Sequence, residues 1–238
     1  MIRIEIGLID SICPKTGKVI KFLADNKALY FDGSQTTELE EKINTLPDGY
    51  HREQKSYLKT KSSIIRQKRT KFNFKNTSNS VLPKSNDIII FGQCVGDMAI
   101  EATVTVCKTN IELIEQVMSE YGDNGDNGRI FYKSHPKNWC NVSDMAYIAE
   151  KFPQIIIIDE KQNPIELLEN RPTCIVNTSG LGFEALIRDC PVTCYGISFY
   201  SNWGFTTDKI ACDRRVNRPD FDDFAAFFLL EYTKSVSE

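Results

Sequence analysis

From Asp87 onward the chain alternates short apolar runs with helical stretches, and this alternation constrains the fold more than any other feature. The runs are DIIIFG (87–92), RIFYKS (129–134), QIIIID (154–159), TCIVNT (173–178) and PVTCYG (191–196). They carry continuous Ile/Val stretches, as strands buried on both faces do. Between them lie NIELIEQVMSEYG, SDMAYIAEKF, PIELLEN and GLGFEALIRD, which read as helices. Strands alternating with helices predict an α/β fold, with a doubly wound parallel sheet in a Rossmann-like domain over 85–238. The last segment, PDFDDFAAFFLLEYTKSV, predicts one more helix, with Pro219 near its start.

Residues 1–84 are less regular and read as a partial second region that ends in a linker. IRIEIGLI predicts a strand, and KVIKFLAD with ALYFDG predicts a hairpin. TTELEEKINTL predicts a short helix, capped by Thr36 or Thr37, with Glu40 reaching back. From Lys55 to Lys75 there are eight Lys or Arg and no acid. Such a run is either a solvated helix face or a surface for an anionic substrate or lipid headgroups. NTSNSVLPKSN has the composition of a linker. GDNGDNG (122–128) lacks the closing glutamate of a calcium loop and reads as a polar connection.

A net charge of −3 gives no whole-molecule basic field, so nucleic acid is not an expected partner. No apolar run approaches the roughly 20 residues of a spanning helix. The N-terminus lacks the pattern of a signal peptide, so the expected location is cytoplasmic. The eight cysteines form no C-x-x-C pair and are expected reduced. Neither histidine, His51 or His135, lies near a cysteine pair, so no metal site is predicted.

Four groups of residues fall just after predicted strands, at the edge where open α/β sheets bind ligands. FGQCVGDMAI brings Gln93, Gly96 and Asp97; YKSHP brings Lys133 and His135. NTSGLGFEAL brings Thr178, Ser179, Gly180 and Glu184 on a small strand-to-helix turn, a shape that suits a phosphate. YGISFYSNWGFTTD adds Phe199, Tyr200, Trp203 and Phe205, aromatic residues that serve packing, the ligand or both. Taken singly, Asp97 could be a helix cap and His135 a core residue. Together they fit glycosyl transfer. A histidine can stabilise a leaving phosphate, hydroxyls and N–H groups can hold it, and a carboxylate can act at an anomeric carbon.

GQCVGDMAI, YKSHP, TSGLGFEALIRDCPVTCYGISFYSNWGFTTD and DRR resemble the capsular polysaccharide synthesis family, the retaining β-Kdo transferases of the KpsC/KpsS type. LYFDG, RTKFNF and EIGLIDS extend the resemblance over most of the chain. It implies a GT-B enzyme whose donor substrate is CMP-Kdo, with no further cofactor, acting on a glycolipid or capsule glycan. Asp97 would match the nucleophile of a covalent sugar–enzyme intermediate, and His135 would contact the CMP phosphate. Ser179 and Gly180 would bind that phosphate, with Glu184 on the ribose or base. Gln93, Lys133 and Thr178 complete the expected donor site. Glu5 would match the first acid of an E-D-G motif, a candidate acid or base for the acceptor. The motif here reads Glu5-Ile6-Gly7, and family modules carry further Rossmann-like chain before it. A shortened acceptor-side region over 1–84 is therefore expected, with the basic 55–75 stretch as a candidate peripheral contact with the inner membrane. Two other readings stay open: a nucleotide-sugar-binding module that partners a fuller transferase, and a transferase using a different nucleotide sugar.

Overall fold

The computed structural model describes residues 1–13, 16–71, 81–94, 96–122, 128–135, 142–159 and 162–236. The first region contributes β1 (Arg3–Ile6), β2 (Lys21–Asp25), α1 (Glu38–Asn44), α2 (Tyr50–Glu53) and α3 (Tyr57–Arg66). The sheet region follows with β3 (Ile88–Phe91), α4 (Met98–Glu101), α5 (Asn110–Tyr121), β4 (Ile130–Lys133), α6 (Val142–Lys151) and β5 (Ile156–Ile158). Then come β6 (Thr173–Val176), α7 (Gly180–Leu186), β7 (Val192–Cys194), β8 (Thr207–Asp208), α8 (Phe221–Phe227) and β9 (Thr233–Ser235).

Six strands form one parallel sheet in the order β5-β4-β3-β6-β7-β8. The chain winds outward from β3 through β4 to β5, crosses back to β6, and winds the other way. The crossover leaves a crevice beyond the carboxyl ends of β3 and β6. Successive strand residues face opposite layers. Ile88, Ile90, Ile130, Tyr132 and Ile175 pack with Leu113, Ile114 and Val117 of α5 and Ile148 of α6. On the other face, Ile89, Phe91, Phe131, Cys174 and Val176 pack with Phe183, Phe224 and Phe228. That second cluster also takes in Leu8, Leu23, Tyr30, Leu39, Ile43, Tyr57 and Ile64. Residues from 1–84 and from 85–238 thus share one apolar cluster.

Local chemistry explains the helix starts. The Thr109 hydroxyl accepts the Glu112 N–H at 3.1 Å, and the Glu112 carboxylate accepts the Lys108 N–H at 2.7 Å. This reciprocal cap opens α5. Thr37, not Thr36, caps α1, accepting the Glu40 N–H at 3.0 Å. Glu40 does not reach back as the capping-box spacing predicts. Its buried carboxylate instead takes Arg214 at 2.9 Å and Arg215 at 3.0 Å, a stronger charge-assisted pairing.

Three further sequence expectations are corrected. The hairpin reduces to its first arm. Asp25 accepts the N–H groups of Lys27 and Ala28, turning the chain, and Ala28–Gly33 runs as irregular backbone. The last helix stops early. After α8 the helix widens into a π-turn at Phe228–Tyr232 and becomes β9, which pairs antiparallel with β2. The open edge of β2 and the Tyr232 hydroxyl bond to Asp25 at 2.7 Å outweigh helix continuation. Cys94 is disulfide-bonded, a pairing that no local spacing announced, whereas Cys13, Cys107, Cys174, Cys190, Cys194 and Cys212 are free. GDNGDNG falls almost wholly outside the described residues. Among the described residues, no helix is long and apolar enough to cross a membrane.

Candidate active site

The crevice at the crossover is a cleft of about 370 Å³. One wall follows β3. Gly96 takes φ +73°, a left-handed turn, and delivers Asp97 to the start of α4. Asp97 caps that helix, its Oδ1 accepting the Ala99 N–H at 3.1 Å, and it also lines the cleft. Capping the helix thus does not take Asp97 out of the cleft. Gln93 also lines the cleft, almost fully buried, with its backbone held by Asn110.

The second wall is the end of β4, where Lys133, Ser134 and His135 line the cleft. Lys133 is 4% exposed, and its Nζ donates to the Ser134 carbonyl at 3.2 Å. The third wall follows β6. Ser179 caps α7, its hydroxyl accepting the Leu181 N–H at 3.3 Å, and Gly180 opens the helix. Thr178 and Gln93 bind each other. The Thr178 N–H donates to Gln93 Oε1 at 2.7 Å, and Gln93 Nε2 donates to the Thr178 hydroxyl at 3.0 Å. These two side chains brace the β3 and β6 loops together.

Glu184, one turn into α7, is 3% exposed. Its Oε1 accepts the Thr70 hydroxyl at 3.0 Å, whereas its buried Oε2 has no partner among the described residues. Burial pushes the Glu184 carboxyl above its ordinary value, opposed by Arg188, Thr70 and Lys71. Arg188 donates to the Glu184 carbonyl at 2.8 Å and to the Arg69 carbonyl at 2.9 Å, fastening α7 to the segment that carries Thr70 and Lys71.

The first region closes the cleft. Glu5 pairs across strands with Leu23, so it shares the inward face of the small sheet, and it lines the cleft. Its Oε1 accepts the Ile6 N–H at 3.0 Å. Tyr30, Phe31, Thr70 and Lys71 line the cleft too, and sequence reasoning did not single them out as site residues. Burial, then the charges of Glu5 and Asp97, hold the Tyr30 hydroxyl well above its ordinary value. Tyr30 and Lys71 lie in LYFDG and RTKFNF, so those two segments were the available signal.

All nine predicted site residues line this one cleft: Glu5, Gln93, Asp97, Lys133, His135, Thr178, Ser179, Gly180 and Glu184. The cations Lys71 and Lys133 share it with the acids Glu5, Asp97 and Glu184, a mixed field suited to a charged, polar ligand. Among the described residues, no group of three His, Cys, Asp or Glu side chains converges as a metal site. Of the aromatic loop, Phe199 lines the cleft, whereas Tyr200 and Trp203 are core residues at 0% and 1% exposure. The basic stretch is partly consumed internally: Lys61 pairs with Asp222, Lys68 with Glu169 and Arg69 with Asp10.

Comparison with known proteins fits this picture. Over 222 residues the chain is 28% identical to the capsule polysaccharide modification protein LipA of Neisseria meningitidis, covering 86% of this chain and 30% of LipA. Over 251 residues it is 27% identical to the lipopolysaccharide-processing protein LpsZ of Rhizobium meliloti, covering 96% of this chain and 53% of LpsZ. The chain thus spans only part of the length of these relatives. Among solved structures, a Thermosulfurimonas dismutans KpsC, beta Kdo 2,7 transferase, superposes with a TM-score of 0.73 at 26% identity, covering 99% of this chain and 71% of that one. A KpsC beta Kdo 2,4 transferase from the same organism superposes with a TM-score of 0.80 at 21% identity, covering 99% and 73%, a likeness of fold alone. The fold is therefore α/β and GT-B-like, as in KpsC. The model for capsule polysaccharide biosynthesis proteins matches residues 32–235, and the chain belongs to that family.

Proposed function

We propose that this chain is a glycosyltransferase of capsule polysaccharide assembly, moving Kdo from CMP-Kdo to a glycolipid or capsule glycan with retention. The observation that carries the reading is the gathering of Asp97, Lys133, His135, Ser179, Gly180 and Glu184 around one cleft at the sheet crossover. In this reading the CMP phosphate lies against Ser179, Gly180, Lys133 and His135, and Glu184 meets the ribose or base. Gln93 and Thr178 shape the donor turn. Asp97 attacks the anomeric carbon as the bond to the phosphate oxygen breaks, and the electron pair leaves on CMP. His135 and Lys133 stabilise the developing charge. The acceptor hydroxyl then displaces Asp97 from the same carbon, its proton passing to Glu5. Two inversions give retention. The work would take place on the cytoplasmic side, with 55–75 as a contact for an anionic acceptor or membrane surface.

The alternative, a nucleotide-sugar-binding module without transfer, draws on Ile6, which cannot accept a proton where the resemblance implies an acid. Turnover of CMP-Kdo with an acceptor, abolished in Asp97→Asn, is the expected result. Nucleotide binding without any turnover selects the alternative. Competition by UDP rather than CMP selects a different donor.

A further inference from the structure

The loop after β3 is tied from beneath by one side chain. Asn110, at the first turn of α5, presents both ends of its amide to Gln93. The Gln93 N–H donates to Asn110 Oδ1 at 2.9 Å, and Asn110 Nδ2 donates to the Gln93 carbonyl at 2.9 Å. The same Nδ2 reaches Asp144 Oδ2 of α6 at 3.2 Å. Paired bonds to the N–H and C=O of a single residue fix its height and orientation, as a ladder partner in a sheet does. From Gln93 the connection continues through its side chain to Thr178, whose hydroxyl donates to the Ala99 carbonyl at 3.0 Å. The Ala99 N–H closes the path on Asp97 Oδ1 at 3.1 Å.

Asn110 is 4% exposed, and Gln93 and Thr178 are each 5% exposed, so water does not compete for these bonds. The path joins five pieces of chain: α6, α5, the β3 loop, the β6 loop and α4. Two of those loops carry Asp97 and the Ser179–Gly180 turn.

We propose that Asn110 is a positioning residue that sets Asp97 against the Ser179–Gly180 turn, acting through Gln93 and Thr178. The proposal rests on the reading of Asp97 as the reacting carboxylate. In-line displacement requires the attacking oxygen and the leaving phosphate to be held at a fixed separation, and a displacement of about 1 Å can cost on the order of 100-fold in rate. Asn110 does not itself line the cleft, so its loss should reach the rate and spare the donor grip.

The test uses Asn110→Ala, Thr178→Val and Thr178→Ser in the whole chain. The expected result for Asn110→Ala is a kcat lowered about tenfold or more, with CMP affinity within about threefold of the parent, and Thr178→Val should lower kcat at least as far. Hydrogen–deuterium exchange over 96–102 should rise in both, and Thr178→Ser should recover much of what Thr178→Val loses. Unchanged exchange over 96–102 in Asn110→Ala overturns the proposal, as does a kcat within about twofold of the parent. So does a loss of CMP affinity that matches the loss of rate, because Asn110 would then serve binding. A parent chain that binds no CMP contradicts the donor reading instead, and exchange at 96–102 then decides the brace alone.

Discussion

The Tyr200 hydroxyl donates to the Ser179 carbonyl at 2.5 Å, linking the aromatic loop after β7 to the residue that caps α7. Gly182 makes room for this bond: a Cβ there would lie 2.1 Å from the same hydroxyl oxygen. Burial, together with the nearby Cys194 thiol, holds Tyr200 well above its ordinary value, so it stays a neutral donor. Tyr200→Phe should therefore cost about 1 kcal/mol of stability. Gly182→Ala should cost more, because the Tyr200 ring must move and the Ser179 turn moves with it. Urea unfolding of both variants checks the order; equal stability of Gly182→Ala and the parent contradicts it.

Glu184 gives a pH signature. Burial raises its carboxyl, outweighing Arg188, Thr70 and Lys71, so the folded chain holds this proton more tightly than the unfolded chain does. The resulting penalty is absent below the ordinary carboxylate range and grows as pH climbs through it toward the raised folded value. Glu184→Gln removes the titration. Relative to the parent, the variant should gain stability between about pH 4 and pH 7. Thermal unfolding at the two pH values measures this, and a pH-independent difference would count against it.

Glu40 is a buried anion between two arginines. Arg215 is 4% exposed and also donates to the Ser198 carbonyl at 2.5 Å and the Ser201 carbonyl at 2.7 Å, with its guanidinium 5.3 Å from the Trp203 ring. Glu40→Ala leaves Arg215 buried and uncompensated and should cost about 3–5 kcal/mol. Glu40→Gln, which keeps an acceptor, should cost less. Denaturant midpoints rank the two, and a Glu40→Ala midpoint equal to the parent's would refute the assignment.

For the basic stretch, reversing Lys68 or Arg69 would also break an internal ion pair. Lys55, Lys59 and Arg66 are exposed and give the cleaner variant. If 55–75 contacts an anionic surface, reversing these three charges weakens binding to phosphatidylglycerol vesicles, by about 1 kcal/mol per charge, and leaves binding to neutral vesicles unchanged. Equal sedimentation of variant and parent with anionic vesicles contradicts the membrane contact.

The sheet was legible because Ile88–Ile90 and Ile156–Ile158 are short apolar runs between helical stretches, a pattern typical of strands in a parallel α/β sheet; Ile88–Ile90 is buried on both faces, whereas edge strand β5 is only partly covered. Asp97, His135 and Ser179 were legible for a related reason: each follows a strand closely, so topology alone sends it to the carboxyl edge. Tyr30 and Lys71 were not legible as site residues. Each comes from an irregular segment whose place is decided by tertiary packing rather than by periodicity. The end of α8 was hidden as well, because FFLLEY continues the helical pattern and only the free edge of β2 redirects it. Glu40 matched a capping-box spacing, but its partners, Arg214 and Arg215, lie far along the chain.

In the proposed reading the cleft between Asp97, His135 and Ser179 is a CMP site. Calorimetric titration of the chain with CMP, against UMP and UDP, tests it most directly. Selective CMP binding that weakens in His135→Ala and in Ser179→Ala is expected. Binding to none of the three nucleotides, or CMP binding indifferent to both substitutions, would contradict it.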